Sequence, residues 1–349
     1  MRILLAYPGH SYSTIDVAIG YDRALRELGH TVKAFDYHNQ IAFFDKALEY
    51  WSQANPTWDR RDSDAVILAS ERIAIAAVEF VPDVVVVVCG LSLHPRGYDL
   101  LHRLALPVVT ILTESPYLDE MQTDMINFSN VVAVFTNEIE SVDRLADYMS
   151  ARVTYLPHSF DPVRHRPMAV PERYHTDLFF YGTLWPERKT LLRPIRDKDK
   201  DNKYILSGTK SGETDPNGVL VNDELARYYA GTKIALNHHR TISSHDNGRE
   251  IHIDQGAAWS LGPRAYEIAG CGAFQLCDDT RGELTAVFGD TVATYTDADD
   301  LLSKVDYYLT HRREREDMAM TAHERVADCT FAHRAREIVI PVLSELIGE

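Results

Sequence analysis

The run Val84–Val88, five valines in succession, constrains the fold more than any other stretch of the chain. Pro82-Asp83 opens it and Gly90 closes it soon after. β-branched residues are stiff at χ1 and suit a pleated strand better than a helix. A strand with one wet face alternates apolar and polar residues. A strand that is apolar at every position is buried on both faces, as in a parallel sheet covered by helices on each side. Parallel neighbours need crossover connections, and the opening of the chain supplies one. Ile3–Tyr7 reads as a strand, Pro8-Gly9-His10 as a turn, Asp16–Leu28 as a helix stopped by Gly29, and Thr31–Phe35 as a second strand. This βαβ unit is expected to be right-handed. Helices over Ile41–Ala54 and Ala65–Phe80 flank the valine strand on the amino-terminal side. Strands at Val108–Leu112, Val131–Thr136 and Val153–Leu156 follow it, with a helix over Glu138–Met149 capped by Asn137.

The pattern then starts afresh. Pro157–Pro171 holds four prolines and no periodicity, and reads as a linker. Thr176–Tyr181 is a new first strand, ending in Gly182-Thr183 and leading into a helix that opens at Leu184–Thr190. Strands at Tyr204–Ser207, Lys233–Asn237 and Ala273–Leu276 alternate with helices, and a last helix covers Phe331–Ile347. With 349 residues this predicts two doubly wound α/β domains: residues 1–158, a linker over 159–174, residues 175–330, and a closing helix over 331–349. The formal net charge of −16 disfavours broad nucleic-acid binding. The four cysteines form no C-x-x-C pair and no zinc-like spacing with histidine, which predicts reduced thiols and no metal. Met1–Tyr7 is too short an apolar run for a signal peptide, and no run approaches the ~20 residues of a membrane helix. A cytoplasmic protein without a membrane span is expected.

The chemistry concentrates in Ser260–Cys277, reading Ser-Leu-Gly-Pro-Arg-Ala-Tyr-Glu-Ile-Ala-Gly-Cys-Gly-Ala-Phe-Gln-Leu-Cys. Gly262-Pro263 opens a short helix, since proline is favoured at its first position. Gly270 and Gly272 stop it. Such a helix start exposes backbone N–H groups and the positive end of the dipole, an anion site suited to phosphate. Arg264 adds a bidentate donor. Glu267, a turn further on, shares its face and is placed to accept two ribose hydroxyls. The alternative is a plain connection with an Arg264–Glu267 surface pair. At other strand ends, Gly182-Thr183 allows close approach to the backbone. His238, His239 and Arg240 suggest substrate or phosphate contact. Adjacent histidines point apart, so they make a poor metal pair. His10 and His94 follow the first and the valine strand, where ligands of such sheets bind.

The segment Arg264-x-Tyr-Glu-x-x-Gly-Cys-Gly-Ala-Phe-Gln-Leu resembles the donor site of glycosyltransferases of the spore-maturation CgeB type, within the broad GT-B group. Glu283–Phe288, Asp297–Leu302, Tyr307–His311, Arg315-Glu316 and Phe331-x-x-Arg334 continue the likeness, which is close in the C-terminal half and only outlined in the N-terminal half. The resemblance implies a GT-B fold: two Rossmann-like domains facing a cleft, with the last helix packing back toward the first. It implies transfer of a sugar from a nucleotide-diphosphate donor, a UDP-sugar first among them, to a hydroxyl, with no cofactor or metal. It assigns Arg188 and Lys189 to the diphosphate, Ser207 and Gly208 to the nucleobase, and Tyr266 to the donor site beside Arg264. His10, in a Gly-His pair, and Glu114, in a Glu-x-Pro loop, become candidate bases with His94. Many retaining members carry two glutamates separated by seven residues. Glu267 matches the second, but Trp259 stands where the first belongs, which leaves stereochemistry open. The acceptor is a glycan, a small molecule or modified DNA. Rival readings are a transferase acting on hydroxymethylated pyrimidines in DNA, and a nucleotide-sugar binder without catalysis.

Overall fold

The structure, a computed structural model, describes residues 1–9, 14–61, 63–89, 93–113, 130–201, 203–208, 222–240 and 258–348. The chain forms two compact α/β units.

The first unit comprises Met1–Pro157 and is joined by Phe331–Glu349. Its parallel sheet contains β1 (Arg2–Ala6), β2 (Thr31–Phe35), β3 (Val84–Val88), β4 (Val108–Ile111), β5 (Ala133–Thr136) and β6 (Arg152–Tyr155), in the order β2-β1-β3-β4-β5-β6. The valine run is the third strand in that order, fully buried, with Val84 beside Ile3 and Val85 beside Val108. Its side chains alternate between two cores. Val85 and Val87 face α2 (Tyr37–Ala54), α3 (Ser63–Phe80) and α4 (Pro95–Arg103). Val84, Val86 and Val88 face α1 (Ile15–Glu27) and the C-terminal segment. A 3-10 turn at Ile139–Ser141 and then α5 (Val142–Tyr148) lead into β6. Asn137 does not cap here; the Glu138 carboxylate does, accepting from the Glu140 amide.

The C-terminal segment consists of α12 (Phe331–Arg334), a π turn (Ala335–Val339) and α13 (Ile340–Ile347). It packs into the first unit, as expected for the closing helix. Phe331, Ala335, Val339, Val342 and Leu343 lie in the same core as Val17, Tyr21 and Leu25 of α1. The approach is close: a Cβ on Gly20 would lie 2.3 Å from the Phe331 ring. Tyr21 meets the same ring edge-on at 5.1 Å.

The second unit comprises His158–Ser244 and Trp259–Thr330. Its parallel sheet contains β7 (Thr176–Tyr181), β8 (Tyr204–Ser207), β9 (Thr232–Asn237), β10 (Gln275–Asp278) and β11 (Ala293–Tyr295), in the order β11-β10-β9-β7-β8. Its helices are α6 (Pro186–Lys198), α7 (Asn222–Gly231), α8 (Pro263–Gly270), α9 (Gly282–Phe288), α10 (Ala298–Thr310) and α11 (Arg312–Arg325). The proline-rich segment enters this unit folded. Phe160 is buried and bridges to Thr330, and its ring leaves no space for a side chain at Gly270. Asp297 caps α10 through the amides of Asp299 and Asp300.

Candidate active site

In the second unit the chain leaves β7 for β8 on one side and returns at β9 on the other. The crevice at the carboxyl ends of β7 and β9 is therefore a topological switch point, where open α/β sheets bind ligands. Gly182-Thr183 and His238–Arg240 follow β7 and β9 directly, and Ser207 ends β8 with Gly208 next. Two of these turns touch backbone to backbone. The Gly182 amide donates to the Ser207 carbonyl, and a Cβ on Gly208 would lie 1.6 Å from the Gly182 carbonyl oxygen.

Two arginines converge on the same crevice. Arg264, in the first turn of α8, donates to the Tyr181 carbonyl at 2.8 Å. Arg188, in the first turn of α6, donates to the carbonyls of Thr183 at 2.9 Å and His238 at 2.7 Å, and so ties the β7 turn to the β9 turn. A Cβ on Gly182 would lie 2.6 Å from Nη2 of Arg264 and 3.6 Å from Nη1 of Arg188, so the two guanidinium groups flank this glycine. Both sit over the Phe180 ring, which satisfies part of their charge by cation–π attraction. Among the described residues neither pairs with a carboxylate, and Nε of Arg188 has no partner. Burial, followed by repulsion from Arg264, lowers the Arg188 pKa to about 9. Like charges held together at low dielectric favour an anion between them.

The start of α8 adds backbone donors. Gly262 is its extended N-cap with open space around it, and Pro263 follows at the first position. The helix closes with a Schellman turn. Gly272 is left-handed at φ 66°, and the Ala273 amide reaches back to the Ile268 carbonyl. Glu267 lies half-buried one turn past Arg264. Tyr266 instead points into the core: it is fully buried and its hydroxyl donates to Glu283 at 2.9 Å. Glu283 also accepts from the Leu261 amide, so the pair holds the loop that opens α8. Lys189 is exposed while its neighbour Arg188 turns inward. Arg240 stacks over Trp185 at 4.7 Å.

Behind the β9 turn lies a polar network. His238 Nδ1 pairs with the Tyr295 hydroxyl at 2.8 Å. Burial lowers the His238 pKa to about 4, against the opposing pull of Asp278. His239 Nδ1 lies 3.0 Å from Asp278, which also accepts from the His239 amide and from the amide and hydroxyl of Thr280. Burial raises the Asp278 pKa, but His239 and these donors outweigh it and hold the carboxyl well below its usual range. His239, Cys277 and Asp278 bring possible ligand atoms within 4.8 Å of one another. Asp278 already accepts four hydrogen bonds, so the group fits a hydrogen-bonded support for the β9 turn better than a cation cage.

In the first unit, His94 caps α4, its Nδ1 accepting from the Arg96 amide at 3.3 Å. Cys89 follows β3 in the left-handed region at φ 67°, strained backbone at the end of a central strand. His10, Glu114, the loop Thr209–Gly218 and residues 241–257 lie outside the described residues.

These titrations carry a testable consequence. His165, buried in the second unit, has its pKa lowered to about 4 by burial, as has His238. The unfolded histidines bind protons near pH 6.5, above the folded ones, so stability is complete above that pH and falls as pH drops toward 4. Denaturant unfolding at pH 7 and pH 4.5 is expected to show a loss of about 2 kcal/mol per histidine. His165→Gln should remove one such share of the pH dependence. An unchanged pH dependence in this variant would refute the assignment for His165.

Residues 185–340 match the family model described as Glycosyl transferase-like. No curated protein matches the sequence. Solved structures resemble the whole chain. Sucrose-phosphate synthase from Thermosynechococcus elongatus is 11% identical, with 99% of each chain covered and a TM-score of 0.61. A trehalose-6-phosphate structure from E. coli bound with UDP-2-fluoro glucose is 11% identical, with 99% of each covered and a TM-score of 0.60. Anabaena Alr3699/HepE in complex with UDP and glucose is 11% identical, with 99% of this chain and 100% of that one covered and a TM-score of 0.60. The shared fold is GT-B, two Rossmann-like units. The match over residues 185–340 makes the chain an enzyme of the glycosyltransferase class. No helix among the described residues is long and apolar enough to cross a membrane.

Proposed function

We propose that the protein moves a sugar from a nucleotide-diphosphate donor, a UDP-sugar first, to a hydroxyl acceptor without a metal. One observation carries this reading: two arginines without carboxylate partners among the described residues flank Gly182 at the switch point, beside the open start of α8. A diphosphate matches that charge and geometry, with α8 amides and the Arg264 fork as its donors. Structural relatives bound with UDP-2-fluoro glucose and with UDP and glucose support the choice of base. Glu267 is assigned to the ribose, Lys189 to the outer phosphate face, and Ser207 and Gly208 to the base. The motif from Arg264 to Leu276 favours the CgeB type within the class, and a cytoplasmic site of action goes with it.

Cleavage of the anomeric C–O bond leaves its electron pair on the diphosphate. The two guanidinium groups and the helix start stabilise that charge in the transition state, the task a divalent metal performs elsewhere. The acceptor proton passes to a side-chain base if the reaction inverts, and His10 or Glu114 is assigned there. If it retains, the proton passes to a leaving phosphate oxygen. His94 Nδ1 is engaged in capping α4, which makes it the weakest of the three candidates. The formal charge of −16 weighs against duplex DNA as acceptor.

The test is nucleoside-diphosphate release from UDP-, GDP-, ADP- and dTDP-sugars with EDTA present. Slow release from one donor, unaffected by EDTA, is the expected result. Failure of every donor both to react and to bind in calorimetry would overturn the reading.

A further inference from the structure

A second cavity lies in the same unit, at the other end of the sheet. It has a volume of about 490 Å³ and is lined by the first residues of β9, the turn between α8 and β10, and one face of α11. From that face come Arg312, Arg315, Glu316, Met320 and His323, at the three- and four-residue spacing that puts them in one stripe. Lys233 comes from β9. The crevice that holds Arg264 lies beyond the opposite end of β9, roughly 20 Å away at ~3.3 Å per residue.

Arg315 is the informative member. It is only 7% exposed, and its Nη1 donates to the Tyr308 carbonyl. Among the described residues it makes no ion pair with a carboxylate. Arg312 pairs with Glu316 at 2.8 Å, both largely exposed, and the half-exposed Lys233 pairs with the more buried Asp177 at 2.7 Å; the first pair exchanges easily, the second less so. His323 gives Nδ1 to the Ala269 carbonyl at 2.9 Å. The lining thus sets three permanent cations against one carboxylate, in a protein whose net charge is −16. The guanidinium has one carbonyl partner, feels Glu316 and Asp177 only at a distance and is repelled by Arg312, so an anion held against it would complete it. Beside it, Met320 is 59% exposed, an apolar wall for the body of a ligand.

We propose that this cavity is an anion site for a small phosphomonoester, separate from the donor crevice. The phosphate sits against Arg315, with Arg312 and Lys233 at its rim, and the carbon skeleton lies along Met320. The volume suits a metabolite of a few to about twenty non-hydrogen atoms. The proposal does not depend on the nucleotide-sugar reading.

Isothermal titration with inorganic phosphate and with ribose 5-phosphate, at constant ionic strength set by chloride, tests it. Arg264→Ala is included so that phosphate held in the donor crevice is recognised. The expected result is saturable binding with a Kd on the order of 1 mM or tighter, retained in Arg264→Ala. It should weaken at least fivefold in the double variant Lys233→Gln/Arg312→Gln, and be lost in Arg315→Gln. The double variant changes exposed side chains, so it keeps the test valid if Arg315→Gln fails to fold. Absence of saturable binding, binding that vanishes in Arg264→Ala, or binding untouched by the double variant would each overturn the proposal.

Discussion

Arg264→Ala is expected to lower kcat/KM for donor turnover by roughly 10²–10³, the range seen when one preorganised transition-state donor is removed. The guanidinium donates to the Tyr181 carbonyl through Nη2, beside Gly182, and also meets the Tyr229 hydroxyl. Alanine removes both. The fold should survive, because the α8 backbone, the Schellman turn and the Tyr266–Glu283 clamp do not involve this side chain. Arg264→Lys restores charge without the planar fork and should recover only part of the rate. Diphosphate release under saturating acceptor, with circular dichroism as a control for folding, decides the matter. A loss of less than threefold in well-folded Arg264→Ala would remove this arginine from the chemistry.

Gly208→Ala should have the larger effect on stability. The added Cβ would fall 1.6 Å from the Gly182 carbonyl oxygen, and its neighbours there are backbone atoms that cannot swing aside. The β7 and β8 turns must separate, breaking the bond from the Gly182 amide to Ser207. A cost of about 3 kcal/mol is expected, in the range of severe backbone and packing defects. That corresponds to a fall in Tm of roughly 6–12 °C for a unit of this size. Donor affinity should fall with it, because Gly182 also sets the gap between the two arginines. Gly29→Ala is a useful contrast: its added Cβ meets nothing within 4 Å, so only its left-handed backbone at φ 88° opposes the change. Equal Tm values for wild type and Gly208→Ala would contradict the close approach described here.

Much of this architecture was legible in the residues. Val84–Val88 announces a strand buried on both faces, and alternation into two cores is what that requires. The strands ending at Tyr181, Ser207 and Asn237 are read off apolar runs closed by Gly-Thr, Ser-Gly and His-His. The helix start at Gly262-Pro263 follows from proline chemistry. Sheet order is another matter. Whether β9 returns beside β7 or beyond β8 depends on long-range packing, and no local run encodes it. Hence the tie from Arg188 to the Thr183 and His238 carbonyls is invisible in sequence, although two cations at an unfavourable helix start hint at a function. Tyr266 belongs to the donor site only by the resemblance of the Arg264-x-Tyr-Glu motif. Its position on the helix turns it the other way, to Glu283. The pair His239–Asp278 joins residues 39 apart, and only an acid directly after an apolar strand marks its second member.

The order of manufacture follows from where Phe331–Glu349 packs. Residues 1–157 leave the ribosome lacking Phe331, Ala335, Val339, Val342 and Leu343, which close the core over Val17, Tyr21 and Leu25. The missing piece is made only after residues 158–330. Throughout that interval the first unit presents an unsealed apolar face, although its own sheet already has all six strands. The half of the enzyme begun first is therefore the half finished last, and the window in which a nascent chain needs a holding chaperone is set by the length of the other half.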